Sequence, residues 1–180
     1  MSDRRVLVVR GNREFLVKPG DTMESDLGIL EVPEDVTSGT TLETHLGEAF
    51  EVRRLRGPDL FDHLERTGAP MMPRDIGLVV GHTGVASGDR TLDAGTGTGV
   101  LAAYLGRLEV EVTTYERDPE FAEVARENMD LAGVTDTVDV RTGDLLEDLD
   151  DIEGSFDLLT LDTGDAPAVV ERAPELLAPG

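Results

Sequence analysis

The chain has 180 residues, enough for one large domain, or for a small one beside an incomplete large one. It contains no cysteine, which excludes disulfides and thiolate metal sites, and its 38 acidic against 16 basic residues leave a net charge of -22. No apolar run approaches the length of a membrane span and no signal-peptide core opens the chain, so a cytoplasmic protein is expected.

Residues 1 to about 57 read as β. Two runs, Val6 to Arg10 and Glu14 to Lys18, flank Gly11-Asn12, a tight hairpin signal. Two further candidates are Leu27 to Val32 and Ala49 to Leu55, which together predict a small antiparallel barrel or sandwich. This part is the less acidic one, with 14 acids and 9 bases in residues 1–66 against 24 and 7 in 67–180. Arg4, Arg5, Arg10, Arg53, Arg54 and Arg56 could meet phosphates, or be surface arginines paired with neighbouring acids.

Gly57-Pro58 punctuates the chain, and Pro58 suits the first turn of a helix running to about Arg66. Domains of 1–57 and 58–180 are therefore expected. An amphipathic helix is predicted within Ala69 to Val85, with Ile76, Val79 and Val80 on one side. Strands then alternate with helices. Thr91 to Asp93 precedes a helix from Val100 to Leu108; EVTTYE ends in Glu116 before a helix from Pro119 to Leu131; TVDVRTG leads to Asp144. The acidic tract Asp144 to Glu153 is expected to be a solvated loop. FDLLTLD (Phe156 to Asp162) is followed by a helix from about Pro167 to Leu177. Such alternation predicts a parallel, doubly wound α/β sheet.

The organising stretch is RTLDAGTGTG, Arg90 to Gly99, which reads as a strand, a tight glycine turn and a helix start. Gly95, Gly97 and Gly99 let backbone approach a ligand where a Cβ would collide. A dinucleotide fingerprint needs its third glycine at Val100, so that ligand class fits poorly. The acid Asp93 also suits a cofactor carrying an ammonium better than one carrying a pyrophosphate. A glycine turn of some unrelated α/β protein is the competing reading. Four strands end in an acid (Asp93, Glu116, Asp144, Asp162), and in such sheets ligands sit over the carboxyl ends of the strands. Any single one could be a cap or turn residue.

Asp-x-Gly-x-Gly-x-Gly resembles the first motif of the S-adenosylmethionine (SAM) methyltransferases, whose sheet is Rossmann-like. Three features narrow the resemblance: the preceding β domain, MMPRDIGLVV (Met71 to Val80) before the first strand, and LDTGDAP (Leu161 to Pro167). Together they resemble the TrmI family of tRNA (adenine-N1)-methyltransferases in an archaeal version. The acid-rich, lysine-poor composition, with Lys18 as its one lysine, is similar to that of halophile proteins. Net charge does not exclude a nucleic-acid partner at molar salt, where the Debye length is only about 3 Å.

The resemblance implies roles. Asp93 and the three glycines would hold the methionine end of the cofactor. Glu116 would take the ribose hydroxyls, and Asp144 the adenine amino group. Asp162 would face the acceptor as the catalytic carboxylate. It also implies N1 methylation of adenosine in the tRNA T-loop, at position 58 with 57 as a second candidate, by a homotetramer. A family sheet has seven strands, so terminal strands are expected to be missing from this chain. Met72 stands where the family carries a tyrosine, Arg74 replaces a lysine, and Gly164 replaces a proline. Rival readings are a precorrin or protein isoaspartate methyltransferase, and a non-catalytic RNA-binding subunit retaining the fold.

Overall fold

The computed structural model describes residues 5–179, so Arg4 lies outside the described residues. The chain forms two compact units, the first reaching His63 and the second beginning at Leu64. In the first, β1 (Val6–Arg10) pairs antiparallel with β2 (Arg13–Val17) in the register Arg10↔Arg13, so Gly11-Asn12 makes the two-residue turn. Gly11 has φ 60, a conformation open to glycine at little cost.

The sequence pattern does not announce β3 (Thr22–Ser25) or β5 (Thr41–Glu43), which are four and three residues long and largely polar. With β4 (Gly28–Glu31) and β6 (Ala49–Arg54) they complete a four-stranded sheet, β2-β1-β6-β5, and the hairpin β3-β4. Both pieces feed one core, in which Val8, Leu30, Phe50 and Val52 are fully buried. Helix α1 (Gly57–His63) closes this unit. Arg10 and Arg53 are paired with Glu48 and Glu51.

The second unit begins irregularly, because Pro70 and Pro73 delay the predicted helix; α2 runs Pro73–Thr83, with Pro73 in its first turn and Ile76 buried. β7 (Arg90–Ala94), β8 (Glu111–Glu116), β9 (Val138–Thr142) and β10 (Leu158–Leu161) form a parallel sheet in the order β10-β7-β8-β9. The order reverses between β7 and β10. Such a switch point leaves a crevice above the strand ends.

Side-chain alternation sorts the helices onto the two faces. Leu92, Ala94 and Tyr115 point to one face and pack with Leu145, Leu149, Val169 and Leu176. These last four come from the segment after β9 and from α6 (Ala166–Leu176). On the opposite face Val138 meets α3 (Val100–Arg107) at Gly106, and α3 lies beside α4 (Pro119–Ala132). The acidic tract is not the solvated loop expected. Asp144 caps a short helix, α5 (Leu145–Asp148), followed by a 3-10 turn, because Leu145 and Leu149 are spaced to bury together while the carboxylates face water. No helix among the described residues is long and apolar enough to cross a membrane.

Candidate active site

Above the switch point lie two adjoining cavities of about 370 and 220 Å³, sharing Gly95, Gly97, Phe121 and Asp162 in their walls. The first reaches Glu116 and Asp144; the second reaches Asp93, Thr98, Thr160 and the Thr67 to Met71 stretch. All seven residues expected at the site thus lie at this end of the sheet. Gly99, which is packed beneath, is the one of them that lines neither cavity.

The glycines differ in what they do. A Cβ on Gly95 (φ +94) would stand 2.4 Å from the Asp162 carbonyl oxygen, so this glycine lets the β10 end close onto the turn. Gly97 (φ +55) has open space where a Cβ would project, as a site of close ligand approach requires. Gly99 makes room for Met129 and Ala125 of α4.

Glu116 is anchored by backbone. Its Oε2 accepts the Gly97 N–H at 2.7 Å and its Oε1 accepts the Asp118 N–H at 3.0 Å. A carboxylate oxygen has a second lone pair, so both can still accept a hydroxyl from a ligand. Asp144 accepts the Leu146 N–H through Oδ1 at 3.0 Å, and its Oδ2 lies 2.9 Å from Arg117 Nη2. Arg117 also pairs with Asp165, joining two sides of the first cavity. Asp162 is exposed, and its backbone N–H donates to Ala94 at 2.8 Å.

Asp93 is placed differently from its neighbours. It is 5 % exposed, and register puts it directly between Thr114 of β8 and Thr160 of β10. Both threonines donate to it, Thr114 to Oδ2 and Thr160 to Oδ1. Thr114 has one hydroxyl proton, already given to Asp93, so in its contact with Thr96 the latter is the donor. Burial raises the Asp93 pKa above the ordinary carboxyl range. The two threonine bonds work against that rise, while Asp162 and Glu116 add to it.

Sequence reasoning missed Arg117, Phe121 and the Thr67 to Met71 wall. Arg117 could have been suspected as the cation beside Glu116 in a rim of acids; a lone aromatic and a proline-flanked loop give no comparable signal. Met71, not Met72, lines the second cavity, while Met72 is the exposed residue preceding α2. Among the described residues, no cluster of three or more metal-ligating side chains occurs.

Residues 91–180 match the family described as "Methyltransferase domain". The tRNA (adenine(57)-N(1)/adenine(58)-N(1))-methyltransferase TrmI of Methanocaldococcus jannaschii is 30% identical over 93% of this chain and 68% of its own length. A SAM-dependent O-methyltransferase structure from Thermotoga maritima aligns with TM-score 0.70 and 27% identity over 100% of this chain and 70% of that one. The tRNA (m1A58) methyltransferase TrmI structure from Aquifex aeolicus shares the fold, with TM-score 0.64 and 24% identity over 99% of this chain and 72% of that one.

Proposed function

The chain belongs to the methyltransferase-domain family and, within it, to the TrmI tRNA (adenine-N1)-methyltransferases, and we propose that it methylates N1 of an adenosine in the tRNA T-loop. Position 58 is the first target, with 57 as the second. The feature that carries this reading is the junction of the two cavities at Asp162, beside a glycine turn whose Gly97 leaves space for a ligand.

S-adenosylmethionine is the cofactor and supplies an electrophilic methyl group on a sulfonium. Glu116, fixed by two backbone N–H groups, is oriented before any ligand arrives and offers its remaining lone pairs to the ribose hydroxyls. Asp144 stands over the first cavity for the adenine amino group. Gly95, Gly97 and Gly99 shape the turn, and Asp93, held by Thr114 and Thr160, forms the floor of the methionine end.

Adenine N1 carries a free lone pair, so the acceptor needs no prior deprotonation. The protein's task is alignment, and geometry supplies much of the rate. Methylation leaves the base cationic, and the Asp162 carboxylate stabilises the charge developing at its edge. Because N1 lies on the pairing edge, the nucleotide must be exposed before it reacts.

In this reading an N-terminal β domain, residues 1–57 extended by α1 to His63, precedes the methyltransferase domain. The protein acts on tRNA in the cytoplasm as a homo-oligomer, a tetramer by family likeness. Incubation of unmodified tRNA with the protein and labelled cofactor, followed by nucleoside mass mapping, tests the assignment. The expected product is 1-methyladenosine in the T-loop fragment. Label on an isoaspartyl peptide or a corrinoid in its place, or no cofactor binding by calorimetry, would overturn it.

A further inference from the structure

Asn128 takes no part in the chemistry above, yet it is among the most deeply buried polar side chains, at 2 % exposure. It sits on the inner face of α4 with Ala122, Ala125, Met129 and Ala132. A primary amide in such surroundings costs free energy unless its polar atoms are bonded. Both hydrogens of Nδ2 are used: one goes to the Glu65 carbonyl at 2.9 Å, the other to the Thr98 carbonyl at 2.7 Å. Oδ1 accepts the Glu65 N–H at 2.9 Å.

One partner, Thr98, lines the second cavity, and the other, Glu65, leads into a stretch that lines it too. Thr98 ends the glycine turn immediately before Gly99 and α3. Glu65 precedes by two residues the Thr67 to Met71 stretch, which lines the same cavity as that turn. Neither strand pairing nor a helix holds residues 64 to 72, which have no regular secondary structure. The Asn128 amide bonds both backbone groups of Glu65 and so does there what a β-ladder does elsewhere. An aspartate could not replace it, because a carboxylate has no hydrogens for the two carbonyls.

We propose that Asn128 is the positioning residue of the second cavity: its amide fixes the Thr67 to Met71 wall at a set distance from the glycine turn, and so sets the fit for the amino-acid end of the cofactor. The first cavity, between Glu116 and Asp144, does not depend on this clamp. The inference rests on the cofactor reading given above.

Two ligands separate the halves. Methylthioadenosine has the adenosine and sulfur but lacks the amino-acid chain, whereas S-adenosylmethionine has both. In Asn128→Ala, calorimetry is expected to show an affinity for S-adenosylmethionine lowered about tenfold, the scale for a lost hydrogen-bond set holding a polar ligand. Affinity for methylthioadenosine should stay within about twofold. Equal losses for both ligands would mean a general structural role, and no loss for either would mean no role; each overturns the proposal. Wild-type protein that binds neither ligand refutes the cofactor reading instead.

Hydrogen exchange on the unsubstituted protein gives a second test that needs no variant to fold. The Glu65 amide should exchange slowly, and S-adenosylmethionine should slow it further while methylthioadenosine does not. Identical protection by the two ligands would overturn the clamp.

Discussion

Alanine at Gly95 and alanine at Gly97 add the same methyl group two residues apart, yet the structure gives them opposite consequences. At Gly95 the new Cβ would lie 2.4 Å from the Asp162 carbonyl oxygen and 2.9 Å from its carbon. The obstruction is backbone, held by the Asp162 N–H bond to Ala94, so it cannot swing aside. Overpacking of this kind costs about 1–3 kcal/mol, and the positive φ about as much again. A total of about 2–6 kcal/mol corresponds to a fall in Tm of at least ~4 °C for a chain of this size.

At Gly97 nothing lies within 4 Å of the added carbon, so only the backbone term of about 1–2 kcal/mol applies. On the proposed cofactor reading, that Cβ would project where the ligand lies. Cofactor affinity is therefore expected to fall about tenfold or more, since each 1.4 kcal/mol of lost fit is a factor of ten. Thermal denaturation without ligand, with calorimetry at a temperature where both variants are folded, reads the two quantities separately. Gly95→Ala should lose more Tm than Gly97→Ala by the overpacking share, about 1–3 kcal/mol or at least ~2 °C. Equal falls in Tm, or wild-type affinity in Gly97→Ala, would refute the division of labour drawn between these glycines.

Three other outcomes are expected. Asp162→Ala should lower methyl transfer about 100-fold while the cofactor still binds, on the scale of a lost electrostatic stabiliser, and near-unchanged turnover in a single-turnover assay would remove its role. Glu116→Gln should weaken cofactor binding by about 10- to 100-fold, because hydrogen bonds to a charged acceptor contribute about 1.5–3 kcal/mol; calorimetry within twofold of wild type counts against it. Asp93 has its pKa raised by burial, so the folded state takes up this proton more readily than the unfolded chain. Its contribution to stability is then complete below the unfolded value of about 4, and is lost as pH climbs from there to the raised folded value. Relative to Asp93→Asn, the wild type should gain Tm as pH is lowered from 7 toward 4, and a difference flat with pH would show the charged form is not disfavoured.

Much of this architecture is legible from residue order because its causes are local. Gly11-Asn12 sets a hairpin register, Pro119 and Gly133 bracket α4, and alternation around Leu92 and Ala94 assigns the sheet faces. The position of the acids at one end of the sheet also follows from local pattern, since each stands at or just beyond the end of a β run. What does not follow is anything decided by partners distant in the chain. β3 and β5 are too short to carry a period and exist because β4 and β6 offer them an edge. Asp93 looks like its three fellow acids in sequence, and only the register with Thr114 and Thr160 reveals that it is walled in. The Asn128 to Glu65 contact spans 63 positions and leaves no trace in spacing.

The short α5 helix and the turn after it combine two demands in one segment. Leu145 and Leu146 wall the first cavity, while Glu147, Asp148 and Asp151 are exposed and Asp150 is exposed but paired with Arg172. Apolar anchoring draws the segment inward as mutual repulsion pushes it to unwind, so the balance shifts with the counter-ions around it. Dissolved salt, by screening those carboxylates, would favour the wound form of this wall of the first cavity.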